Sequence, residues 1–182
     1  MLNARSSLSG SICALCIAVL SVMCAVIPAT AGAVSVTMEE VRLILSTTRD
    51  FSGKDLSSLD LSGMDLSKSS FHKAILVKAN LKGVNLSDSN LEDTDLTGAN
   101  LTGANLSNVS LCPSLLRNTV LVNVNFRNAN FGSAIFAGAD LTGADFLEAD
   151  IHEADFTGTD TSKTKNLDTA AHRDTAIGLP KQ

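Results

Sequence analysis

Ala99-Asn100-Leu101-Thr102-Gly103 runs directly into Ala104-Asn105-Leu106-Ser107-Asn108, and the same phrase returns as Ala139-Asp140-Leu141-Thr142-Gly143. Working outward from it in both directions, a large apolar residue occupies every fifth position from Phe51 to Phe156, through 22 pentads. All seven Phe of the chain stand on this grid. Two residues ahead of each grid position the side chain is mostly small, as at Ala74, Ala79, Ala129 and Ala154, and one residue ahead it is mostly Asn or Asp. A period of five fits neither the 3.6 of a helix nor the 2 of a half-buried strand. Short self-similar units bury their apolar faces only by stacking on one another, so the pattern calls for a solenoid.

Read as A(D/N)LxG, these pentads closely resemble the pentapeptide-repeat family over residues 51–156, 106 of the 182 in the chain. The resemblance implies an all-β fold, a right-handed quadrilateral parallel β-helix with four pentads to the coil. Grid and small residues then point inward and the other three positions outward. Twenty-two pentads would make about five and a half coils, a solenoid roughly 26 Å long at the usual spacing of neighbouring strands. Each fully buried Leu or Phe contributes on the order of 1.5–3 kcal/mol, enough to build a core without disulfides.

Residues 1–31 read as a cleaved secretory signal peptide: Arg5, an apolar run from Ile12 to Ile27, then Pro28-Ala29-Thr30-Ala31 as a small-residue cleavage site. Cleavage after Ala31 and cleavage after Ala33 suit the pattern equally. The apolar run is short for a membrane span of about 20 residues, so no membrane insertion of the mature chain is expected. Three of the four Cys leave with such a signal, and only Cys112 stays. The mature balance becomes 13 Lys and Arg against 19 Asp and Glu, or −6.

Residues 32–50 read as a lead-in and a short N-terminal capping helix. Thr37 with Glu40 makes a capping box, and Val41, Ile44 and Leu45 share one face. Leu59 and Met64, large where later pentads are small, are shaped to meet that helix. The repeat fills 51–160. From 161 to 182 it fades into a C-terminal cap and flexible tail, with Leu167 as the plug and little order past Ala170.

With four pentads to the coil, residues twenty apart stack in columns. Lys68 then falls beside Asp88, His72 beside Glu92 and Lys73 beside Asp93, exposed pairs that mainly set register. Acid gathers at one end, with seven Asp and Glu and no Lys or Arg in residues 140–160. The quinolone-resistance group of the resembling family protects DNA gyrase by presenting a DNA-like acidic rod. A DNA mimic carries its charge along its length, as phosphates do, so that function stands here as the alternative, for a chain retained in the cytoplasm. No nucleic-acid partner is expected. The acidic end also raises the idea of a hard cation held by carboxylates, but no dedicated ligand loop is present, and no metal ligands are assigned.

Ile75, Leu115 and Ile135 take the outward Asn/Asp position in a single column, interrupted by Asp95, and Val77 and Ala137 lie two residues on. Contiguous outward apolar residues mark a partner site, so Ile75, Val77, Leu115, Ile135 and Ala137 form the candidate face for an unidentified protein or a second copy of the chain. Cys112 stacks in the column of His72, Glu92 and His152, about 10 Å from either His by strand spacing, too far for a nucleophile and its base. With no catalytic residues and no cofactor to assign, the sequence reads as a non-enzymatic exported binding or scaffold protein, periplasmic or else in a thylakoid lumen or extracellular.

Overall fold

The computed structural model describes residues 35–180, all within one unit of the chain, Ala33–Gln182. The secretory reading of residues 1–31 lies outside the described residues. Helix α1, Met38–Thr47, starts where the sequence predicts: Thr37 accepts the Glu40 N–H, and Glu40 reaches back to the Thr37 N–H. It stops before Asp50 because Arg49 turns left-handed at φ 52°, with the Thr48 and Arg49 N–H groups both returning to the Ile44 carbonyl. Val41 is fully buried, while Met38, Ile44 and Leu45 pack half-buried on the core, as Leu59 and Met64 do.

From Asp50 on, residues pair in parallel with residues twenty further along, one isolated bridge to each pentad, as in Asp55↔Ile75 and Asn80↔Asn100. Continuous strands do not form, because a tight turn takes up the rest of every pentad. The pentad around Leu96 shows where each backbone donor goes. Leu96 and Gly98 N–H reach up to the Leu115 and Arg117 carbonyls at 2.8 and 2.9 Å, and Asn100 N–H reaches down to Ala79 at 3.0 Å. Ala99 N–H closes the turn on the Leu96 carbonyl at 2.9 Å. The fifth donor, Thr97 N–H, goes to the Asp95 side chain at 2.9 Å. No donor is left over, which is what a mostly buried backbone requires.

This accounting explains the repeated Asn or Asp. Its side-chain oxygen takes the N–H two residues on, at 2.8–3.3 Å, a local turn bond that short Asn and Asp side chains make well. The third turn residue sits at positive φ, the mark of a type II turn, for which glycine is suited. Lys73, Asp93, Asn108 and Glu148 adopt it too, at 57–59°.

Every grid residue from Phe51 to Phe156 is buried. Phe51 stacks on Phe71 at 4.8 Å and Phe136 on Phe156 at 4.7 Å, which measures the rise of one coil inside the core. Phe126, Phe131, Phe136, Phe146 and Phe156 form a connected aromatic cluster in the second half. Hydroxyls that replace the small Ala are satisfied inward: Thr94 and Ser114 both donate to the Leu91 carbonyl, at 2.6 and 2.7 Å.

Past Thr161, where the sequence predicts a fading repeat and little order after Ala170, the chain goes on pairing. Lys165 bridges Asp145, Ala171 bridges Asp150 and Ile177 bridges Asp155. The steps from Lys165 to Ala171 and from Ala171 to Ile177 are six residues, the first containing a left-handed Asn166 and the 3-10 turn Leu167–Thr169 and the second a left-handed His172. Leu167 and Ala170 are buried, and Ala176 and Leu179 lie against the core.

Candidate partner face

The bridges Ile75↔Asp95, Asp95↔Leu115 and Leu115↔Ile135 put the three apolar residues into one column, and Asp155↔Ile177 prolongs it by one more. Leu115 is 37% exposed and Ile177 54%, while Ile75, Val77, Ile135 and Ala137 are half-buried. None of Ile75, Leu115 and Ile135 can receive the N–H two residues on, so each gives up the turn bond that Asn or Asp makes elsewhere. Ile177 escapes a sequence reading based on multiples of twenty because the six-residue steps shift its number, and only its isolated apolar character hints at it.

Beside this column opens a cavity of about 250 Å³, lined by Asp93, Thr94, Pro113, Ser114, Leu115, Ser133 and Ile135. Pro113, after a cis peptide bond from Cys112, replaces the left-handed turn residue found in neighbouring pentads. The Cys112 sulfur lies over Gly132, where an added Cβ would be 2.7 Å from it. Burial pushes the Cys112 thiol up from its ordinary value, and Glu92, Asp150 and Asp93 add to the shift. A protonated, half-covered thiol is a poor nucleophile.

The expected charge ladders form differently. Among the described residues Lys68–Asp88, His72–Glu92 and Lys73–Asp93 do not close as ion pairs. Asp88 accepts from Asn108 and Glu92 from Ser110, each at 2.9 Å. Lys68 and Lys73, like Asp88 and Asp93, are exposed residues at the left-handed turn position. The acidic end is met by bases the sequence window did not include. Arg127 binds Asp145 at 2.8 Å and His172 binds Asp150 at 2.8 Å. Burial works against ionisation of Asp145, yet hydrogen bonds from Asn166 and Arg127 hold its carboxyl below the usual range. Lys163 favours the charged forms of Asp140 and Asp160. No group of three or more His, Cys, Asp or Glu converges for a metal ion among the described residues, and no helix among them is long and apolar enough to cross a membrane.

At the N-terminal edge, Arg49 does something the sequence did not signal. Its Nε donates to the Ser67 carbonyl and its Nη2 to the Asp65 carbonyl, both at 3.0 Å. In the coils above, the corresponding carbonyls are taken by backbone N–H groups 19 residues earlier, as Asn85 is by Leu66 and Ser87 by Lys68. The guanidinium does here what two backbone donors do in the coils above.

The comparisons with known proteins agree with this repeat. No curated protein matches the chain. A pentapeptide repeat protein from the Arabidopsis thaliana thylakoid lumen is 33% identical, over 59% of this chain and 72% of its own, with a TM-score of 0.41. A pentapeptide repeat protein involved in heterocyst differentiation regulation in the cyanobacterium Nostoc is 25% identical, over 70% and 78%, with a TM-score of 0.40. A plasmid-mediated fluoroquinolone resistance protein is 20% identical, over 73% and 76%, with a TM-score of 0.48. The family model for pentapeptide repeats matches in eight copies, at residues 50–88, 74–111, 114–146 and 125–160. More than half of the sequence is thereby matched, and the chain belongs to the pentapeptide repeat family.

Proposed function

We propose that this chain is a non-enzymatic binding or scaffold protein exported from the cytoplasm, whose face of Ile75, Val77, Leu115, Ile135 and Ala137 receives another protein. In this reading the repeat is a right-handed, four-sided β-helix and α1 is the cap of its first coil. The observation that carries it is the apolar column itself: three residues that forgo a local turn bond are aligned by successive bridges and left partly open to solvent. The secretory character of residues 1–31 supports a compartment outside the cytoplasm, the periplasm in a Gram-negative cell, or a thylakoid lumen or the medium elsewhere. The bases that meet the acidic end speak against a gyrase-directed DNA mimic.

The test has two parts. Cell fractionation with intact mass should find a chain starting at Gly32 or Val34 outside the cytoplasm; a full-length cytoplasmic chain overturns the compartment. Crosslinking in cells should yield an adduct that the pair Leu115→Asp and Ile135→Asp removes; an unchanged adduct overturns the face.

A further inference from the structure

We infer that this face takes an extended basic segment of a partner protein, with an aliphatic side chain seated between Leu115 and Ile135 and a lysine or arginine two residues to either side of it. This rests on the proposed face and adds the chemistry of its occupant.

The cavity beside the column is smaller than the ~300 Å³ at which small-molecule pockets begin, and suits one side chain. Its polar lining is largely committed elsewhere. The Thr94 and Ser114 hydroxyls point inward to the Leu91 carbonyl, and Ser133 donates to Glu153 at 3.3 Å. The Asp93 carboxylate makes no hydrogen bond or ion pair among the described residues. An apolar notch with one unengaged carboxylate at its edge selects an aliphatic group near a positive charge.

The column supplies the spacing. One coil rises 4.7–4.8 Å. From midway between Leu115 and Ile135 it is one and a half coils down to Asp95 and the same distance up to Asp155, about 7 Å each way. Side chains on one face of an extended chain recur every two residues, at about 6.6–6.8 Å. A five-residue segment with apolar centre and basic ends therefore matches acid, apolar and acid in either chain direction. Asp95 makes no ion pair among the described residues, whereas Arg117 already lends its field to Asp155, so the Asp95 arm is the stronger.

The experiment uses the full chain with its isoleucine methyl groups isotope-labelled and three capped peptides of otherwise serine: lysine-serine-leucine-serine-lysine, the same with glutamates for lysines, and the same with serine for leucine. The first should shift the Ile135 methyl resonance and leave the buried Ile151 in place. The glutamate and serine versions should bind at least about tenfold more weakly, as loss of 1.4 kcal/mol requires. Asp95→Asn keeps the side-chain oxygen that holds the Thr97 N–H, so it should fold normally and weaken the lysine-serine-leucine-serine-lysine peptide several-fold without weakening the glutamate one. Equal binding of the glutamate peptide, or no effect of Asp95→Asn, overturns the charge pairing. No Ile135 shift with any peptide overturns this occupant; if the crosslinked adduct is nonetheless lost in the Leu115→Asp, Ile135→Asp chain, the partner face itself stands. Absence of both removes the two readings together.

Discussion

An aspartate just before a grid residue holds a backbone N–H and carries a charge, and the two roles separate with pH. Asp155 is held below the usual carboxylate range by the Thr157 hydroxyl and N–H, and Asp55 by those of Ser57. With the folded pKa below the unfolded one, the unfolded chain takes up the proton first as pH falls. The stabilisation is therefore complete above the ordinary carboxylate range and disappears as pH drops through the folded value. Asn offers the same acceptor oxygen without the titration. Asp55→Asn combined with Asp155→Asn should leave the urea midpoint at neutral pH within about 0.5 kcal/mol of the parent and lose less stability between about pH 5 and pH 2. Parallel acid profiles for the two chains would show that these carboxylates do not drive acid unfolding.

At the scale of the pentad, what is good for the turn and what is good for a partner diverge at Ile75, Leu115 and Ile135. Restoring an acceptor with Ile75→Asn, Leu115→Asn or Ile135→Asn should raise stability by about 0.5–1 kcal/mol apiece, the net worth of one hydrogen bond, as read from urea midpoints. A fall in stability at all three would mean that the apolar side chains serve the fold. The fold was legible in the sequence because the grid from Phe51 to Phe156 obeys one rule, and the capping box of Thr37 and Glu40 is equally local. The column of the candidate face was legible for the same reason, since numbers differing by twenty become neighbours. The cavity was not, because it depends on how the turn at Pro113 re-aims the chain beside Asp93 and Ser133. Ile177 was hidden by the two six-residue steps after Lys165, and the bases that meet the acidic end come from other coils, where a linear count of charge does not look.

For the molecule as a whole, a solenoid built from one repeating rule has two ends at which the rule fails. The far end is met by changing step length and folding Leu167, Ala170 and Leu179 onto the core. At the near end the guanidinium of Arg49 takes two open carbonyls, and in the proposed reading α1 covers the coil beside it. Arg49→Met keeps the aliphatic stem and strands the Asp65 and Ser67 carbonyls; it should cost about 1–2 kcal/mol, less than a fully buried charged hydrogen bond because the side chain is partly exposed. An unchanged urea midpoint would mean that water replaces the guanidinium without loss.

The same twenty-residue register determines how the solenoid would answer to force. Its coils are joined to their neighbours by short bridges five residues apart, so tension applied at the C-terminus loads only a few hydrogen bonds at once. Such a molecule has no single rupture point. It unwinds as thread leaves a bobbin, turn after turn, each turn releasing about 70 Å of chain, while the coils not yet reached stay wound.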